Sequence, residues 1–499
     1  MTIETNAVNG TYRHRYHLMP ERGWMNDPNG FSYYNGEYHL FYQHYPFDTV
    51  WGPMHWGHAV STDLIKWHPR GITLEPGEPY DKNGVFSGSG LQVGEEHWLY
   101  YTGHVDTHMD LLYDSRLRKN PGLEEVDMGA PVIRQVQCLA KSKDGFTYEK
   151  YEQNPVVGSN QVPRGMRVED FRDPKVWIRN ETFFMVVGAR SEENVGHVLF
   201  YTSTNGMEWE YLNHYTLGES YGTVWECPDV FELDGKDVLL FSPQEVARVG
   251  NRHENRHSTM ALIGSFDENT GEFTVEHEQE LDQGFDFYAP QSLLTKDGRR
   301  VMVAWMNMWD IDYPLHDLGH GWNGSMTIPR ELSLRDGKVI QKPCRSIATY
   351  QKNKVEFRDI SIDGVLDDSR LYGNCQRLDL RFYMKNTGKM TCELFKGKRE
   401  KLIVTFDRQR NEVILDRRHS EYVIESFTAV NDYTRSQFVD LSKPVKVSFL
   451  LDVSSVEIFI NDGEQVFTSL FFSKELGEQF VLESDGETII ELLEKWEII

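Results

Sequence analysis

The chain has 499 residues, room for about two to four domains and a large core, and its 39% hydrophobic and 13% aromatic content excludes a disordered protein. Its 52 Lys and Arg against 77 Asp and Glu give a net charge of −25, a field that repels phosphate backbones and anionic lipid heads, so neither a nucleic acid nor a membrane is expected as partner. No apolar run reaches the eighteen or so residues of a spanning helix, the N-terminus lacks an export-type apolar run, and the five cysteines lack C-x-x-C spacing; free thiols and a cytoplasmic location are expected.

Short apolar and aromatic runs bounded by turn signals dominate over helical periodicity, which predicts an all-β protein. In chain order, Tyr38-His-Leu-Phe-Tyr-Gln43 follows Asn35-Gly36, Trp98-Leu-Tyr-Tyr-Thr102 follows Gly94, and Phe183-Phe-Met-Val-Val187 follows Asn180. Val238-Leu-Leu-Phe241 then follows Asp234-Gly235, and Val301-Met-Val-Ala-Trp305 follows Asp297-Gly298. Spacings of roughly 55 to 85 residues suit propeller blades with long insertions. A polar or acidic group precedes each of these strands: Asp27, Ser87, Asp173, Glu226 and Tyr288. Each would begin the first strand of its blade, and first strands line a propeller axis, so the groups should converge at one end of the funnel. Beyond Pro329-Arg330-Glu331 the pattern changes to the alternating runs of a β-sandwich. The expected organisation is a five-bladed β-propeller over 1–345, a linker over 346–355 and a β-sandwich over 356–499.

Three carboxylates at blade-equivalent positions, Asp27, Asp173 and Glu226, in an aromatic-rich funnel are the minimum equipment for glycosidic cleavage, in which one carboxyl is ionised and another protonated. At these residues a family becomes recognisable. His17-Leu-Met-Pro-Glu-Arg-Gly-Trp-Met-Asn-Asp-Pro-Asn-Gly30, with Tyr42-Gln43, Phe86-Ser-Gly-Ser89, Phe171-Arg-Asp-Pro174, Trp225-Glu-Cys-Pro-Asp229 and Met326-Thr-Ile-Pro-Arg330, closely resembles glycoside hydrolase family 32.

The resemblance implies a retaining double displacement on a fructofuranosyl unit, with no cofactor and no metal. Asp27 would be the nucleophile, Glu226 the acid and then the base, and Asp173 with Arg172 would hold the fructose hydroxyls. Asn26, Gln43, Trp51, Phe86, Ser87, Tyr288, Trp305 and Trp322 would line the pocket. Arg172 is expected to offset the crowding of Asp27 and Asp173, leaving Glu226 as the proton holder, and Cys227 reads as a buried structural thiol. The substrates implied are sucrose, sucrose 6-phosphate or short fructo-oligosaccharides. A fructan hydrolase, a fructosyltransferase and a non-catalytic sugar-binding propeller are the alternatives.

His253-Glu-Asn-Arg-His257 is a literal H-E-x-x-H, but zinc chemistry needs it on a helix, and no amphipathic stretch surrounds it. The same loop, with Arg248, Arg252 and Arg256, should return to the funnel mouth beside Glu226, where it offers either a solvated loop or an anion-binding rim.

Overall fold

The computed structural model describes residues 8–108, 132–422, 424–426 and 433–499. Five sheets radiate from one axis, each built from consecutive antiparallel strands. Their innermost strands are Gly23–Tyr34, Gly84–Val93, Met166–Arg179, Trp225–Leu233 and Tyr288–Leu294, and each touches the next around a closed ring. The all-β five-bladed propeller expected from the repeat is the fold observed. A short strand, Trp322–Asn323, returns from the last blade and pairs in parallel with Gly23 and Trp24 of the first, fastening the ring shut.

Three of the turns between first and second strands share one stereochemistry, with positive φ at both central residues of Asn35-Gly36, Asn180-Glu181 and Asp234-Gly235. Asn35-Gly36 and Asp234-Gly235 have φ of 48° and 89°, and 48° and 81°, the left-handed pair of a two-residue hairpin whose twist matches its strands. Apolar side chains of neighbouring blades then pack face to face, as where Phe184 and Val186 of the third blade meet Leu239 and Phe241 of the fourth.

Every innermost strand breaks register at an equivalent place: between Met25 and Pro28, Phe86 and Gly88, Arg172 and Lys175, Glu226 and Asp229, and Tyr288 and Gln291. These are β-bulges, which bend the strand and re-aim a side chain. Proline, without an N–H for the ladder, occupies four of them at Pro28, Pro174, Pro228 and Pro290. The fifth holds Gly88, where a Cβ would lie 2.0 Å from the Tyr100 carbonyl oxygen.

After Lys338–Pro343 a 3-10 turn, Arg345–Tyr350, leads into Gln351–Asp367, the first strand of a ten-stranded sheet. The long final strand Gln479–Ile498 pairs with Gln376–Met384 along one half and with Lys389–Lys396 along the other, so the sheet doubles over as a sandwich. Leu378, Phe449 and Ile458 of one face meet Cys392, Val404 and Phe406 of the other in its core.

The sandwich is bolted to the propeller by buried charge. Arg330 is fully buried, 3.0 Å from Asp282 and 2.6 Å from Glu457, while His17 lies 2.8 Å from Asp452 and 2.9 Å from Glu457. Arg417 of the sandwich reaches Asp286, 2.8 Å away, two residues before Tyr288. Among the described residues no helix is long and apolar enough to cross a membrane.

Candidate active site

The bulges deliver Asp27, Ser87, Asp173, Glu226 and Tyr288 to one end of the axis, and the three carboxylates meet there. The Ser87 hydroxyl donates to Asp27 Oδ2 at 2.7 Å, and the Cys227 thiol lies 3.6 Å from the same oxygen. The backbone N–H of Cys227 donates to Asp173 Oδ2 at 3.0 Å, while the Thr102 hydroxyl accepts from the Asp173 N–H at 2.9 Å. Tyr288 donates its hydroxyl proton to Glu226 Oε2 at 2.6 Å. Asp27 Oδ1 is buried with no partner among the described residues, which leaves one oxygen of that carboxylate uncommitted.

Electrostatics separate the three groups. Burial, reinforced by the charge of Glu226, pushes the Asp27 carboxyl up to about 6. Burial also lifts Asp173 to about 7, with Arg172 opposing and Glu226 and Asp27 adding to the rise. The guanidinium is not where the sequence suggested. Arg172 Nη2 lies 2.9 Å from Glu226 Oε1 and its Nη1 2.8 Å from Asp170, whereas Asp173 is 3.9 Å away. Arg172 is therefore shared: it pairs directly with Glu226 and Asp170 and, at longer range, opposes the rise of Asp173.

The remaining residues divide into two groups. Asn26 is buried and accepts from the Trp24 indole at 2.8 Å beside Asp27; Gln43 donates to the Val85 carbonyl at 3.0 Å; Trp51 meets the Phe86 ring edge-on at 5.9 Å. Trp305 is buried 5.8 Å from Trp24, and its indole nitrogen has no partner among the described residues. Trp322 packs in the same cluster as Trp305 and Tyr288, its indole donating to the Asn9 carbonyl at 2.9 Å with the Arg13 guanidinium over its ring.

Sequence reasoning missed Thr102, Asp170, Gln135 and His104. Asp170 and Arg172 are two apart on one strand and share a face, a signal the sequence does carry. Gln135 accepts from the Phe171 N–H at 3.0 Å, and His104 stacks on Phe86 at 4.0 Å; both arrive from second and third strands of the second blade, which no local pattern announces.

The H-E-x-x-H segment is an irregular loop, not a helix. His253 is tied through its N–H to Glu280 at 3.0 Å and lies 3.3 Å from Ser258, so the two histidines are not presented as a metal pair. His257 packs near the Tyr288 ring, on the mouth. The arginines of this loop each carry an acidic partner: Arg248 with Glu254 at 2.6 Å, Arg252 with Glu278 at 2.8 Å, and Arg256 with Glu245.

Two family models match the chain, the glycosyl hydrolases family 32 N-terminal domain over residues 17–343 and the family 32 C-terminal domain over 346–497. The chain is 36% identical to a sucrose-6-phosphate hydrolase of Escherichia coli over 98% of its length and 95% of that protein. It is also 36% identical to a raffinose invertase of Escherichia coli, over 95% of this chain and 93% of the other. Among solved structures, a Bombyx mori family 32 beta-fructofuranosidase in complex with sucrose superposes with a TM-score of 0.79 at 33% identity, covering 97% of this chain and 94% of that one. A sucrose-6-phosphate hydrolase from Lactobacillus gasseri gives 0.85 at 27% identity, covering 100% and 95%.

Proposed function

The chain belongs to glycosyl hydrolases family 32, and from that premise we propose that it is a retaining β-fructofuranosidase cleaving the terminal fructosyl bond of sucrose or sucrose 6-phosphate. The observation that supports this reading best is the meeting of Asp27, Asp173 and Glu226, from three different blades, at one end of the channel, with Cys227 bridging Asp27 and Asp173 and Arg172 beside Asp173 and Glu226. In the first step Asp27 attacks the anomeric carbon through its uncommitted oxygen while Glu226 protonates the leaving oxygen; in the second, Glu226 takes a proton from water as the water displaces Asp27. Ser87 holds the other oxygen of Asp27 and aims it.

Asp173 accepts hydroxyls of the fructose, bonds that strengthen as positive charge develops on the ring. Arg172 lies against the acid, its Nη2 2.9 Å from Glu226 Oε1, and is placed to reach the sugar's hydroxyls beside it. Asp170 remains the fixed anchor of the guanidinium. All five cysteines are free and buried, a pattern that suits a reducing cytoplasm.

The reading is tested by assaying one purified sample on sucrose, sucrose 6-phosphate, inulin and levan while following the released fructose by time-resolved NMR. The β anomer should appear first, with the highest kcat/KM on one of the two sucroses. The α anomer appearing first removes Asp27 from the nucleophile role, and a preference for inulin or levan makes the enzyme a fructan exohydrolase.

A further inference from the structure

The same five inner strands that start at the carboxylates end at a second opening of the channel. A cavity of about 550 Å³ lies there, among segments 31–33, 90–92, 175–179, 230–232 and 292–294. Its wall carries Lys175, Arg179, Lys296 and Arg300 against a single carboxylate, Glu232. Lys175 is neutralised by Asp229 at 3.1 Å and Arg179 by Asp237. Among the described residues neither Lys296 nor Arg300 has an ion-pair partner; Arg300 lies over the Phe231 ring at 4.7 Å and Lys296 over that of Tyr33 at 5.7 Å. Arg300 Nε, Ser292 Oγ and Trp177 Nε1 are buried polar atoms without a hydrogen-bond partner among the described residues.

Half-buried Arg300 has Asp229 and Glu232 as charged neighbours but pairs directly with neither among the described residues, and three orphaned donors beside one cavity are more than a fold needs. In a protein of net charge −25 they define a local anion trap. The aromatic faces of Tyr33, Trp177 and Phe231 add a surface on which a sugar ring can lie.

We propose that this far mouth is a second, non-catalytic binding site for a small sugar phosphate. Its phosphate would lie between Lys296, Arg300 and the Ser292 hydroxyl, and its carbon skeleton against the aromatic rings. The site does not depend on the catalytic assignment, since it shares no residue with the carboxylate end.

Isothermal titration calorimetry of the full chain with ribose 5-phosphate should give saturable binding, unchanged in Asp27→Asn. Lys296→Glu, at an exposed position that folding tolerates, and Arg300→Gln should each weaken it by about tenfold or more, the scale of one charged hydrogen bond. Lys296→Glu should leave kcat on sucrose unaltered. No saturable heat at millimolar ligand, or an isotherm that Lys296→Glu leaves unchanged, overturns the proposal. Inorganic phosphate binding as tightly as ribose 5-phosphate overturns the assignment of the rings to a sugar.

Discussion

Two clusters of buried charge organise this molecule, and they are built on opposite principles. Between propeller and sandwich the carboxylates are saturated: Asp452 accepts from the Arg15 and Tyr16 N–H groups and from His17, and Glu457 from His17, Ile328 and Arg330. Against the cost of burial, the bonds from His17 hold Asp452 below the usual carboxylate range, and Arg330 does the same for Glu457. At the channel mouth Glu226 and Asp173 share one guanidinium that is also committed to Asp170, Asp27 has none, and burial drives Asp27 and Asp173 upward. A saturated cluster fixes geometry and has nothing left to offer a ligand. An under-compensated one holds its charge at an energetic cost that a substrate can relieve.

The largest effects expected follow from breaking each cluster in its own way. Asp27→Asn and Glu226→Gln should fold and lose kcat by about 10³ or more, because each removes one half of a coupled displacement. Glu226→Gln should retain more activity on fructosides whose leaving group needs no proton; equal losses on both would locate the acid elsewhere. Arg330→Met should do the reverse, costing about 3–5 kcal/mol in urea unfolding by stranding Asp282 and Glu457, with kcat of the folded fraction preserved. An Arg330→Met protein as stable as the parent would erase the contrast between the clusters.

Titration sharpens the contrast at a smaller scale. Asp27 is raised in the fold to about 6 from an ordinary 3.8, so ionising it carries a stability cost that is absent below about pH 4 and complete above about pH 6. Asp27→Asn should therefore be more stable than the parent at pH 7.5, by about 2–3 kcal/mol, and equal to it at pH 3.5. His17 runs the other way. Despite burial, its bonds to Asp452 and Glu457 raise it to about 9, so its contribution is complete below pH 6.5 and disappears as the pH rises through 9. Urea melts of Asp27→Asn and the parent across this range read the first effect directly; a pH-independent difference between the two would mean that the fold does not shift the Asp27 carboxyl.

The sequence made the propeller and its catalytic end readable because both repeat. Turn, apolar strand and polar leader recur in phase, and the eye needs only the period. Four of the five bulges were also written in the sequence, as the prolines after Asp27, Asp173, Cys227 and Ala289, and only their alignment across blades gives them meaning. The position of Arg172 was not legible. It is decided by Asp170 and Glu226, one on its own strand and one 54 residues away, and crowding arguments that weigh charges without directions find neither contact. The fate of Trp322 was hidden for the same reason, since its partner is the Asn9 carbonyl, 313 residues distant.

The smallest effect expected concerns the loop of Arg252 and Arg256 at the catalytic mouth. Counted as bare charges, these arginines form a rim for the phosphate of sucrose 6-phosphate, and replacing them would abolish a preference for that substrate. In the fold each is a half-exposed ion pair with Glu278 or Glu245, so its field at the mouth is largely cancelled and what remains is screened over about 8–10 Å. To bind a phosphate, either arginine must first leave its carboxylate, and the exchange returns little. Arg252→Ala and Arg256→Ala, alone or together, should change kcat/KM for sucrose 6-phosphate relative to sucrose by less than about threefold, with stability altered by under about 1 kcal/mol. A tenfold loss confined to the phosphorylated sugar would show that the carboxylates yield to substrate, and it would make this loop a third region of charge, saturated at rest and released by its ligand.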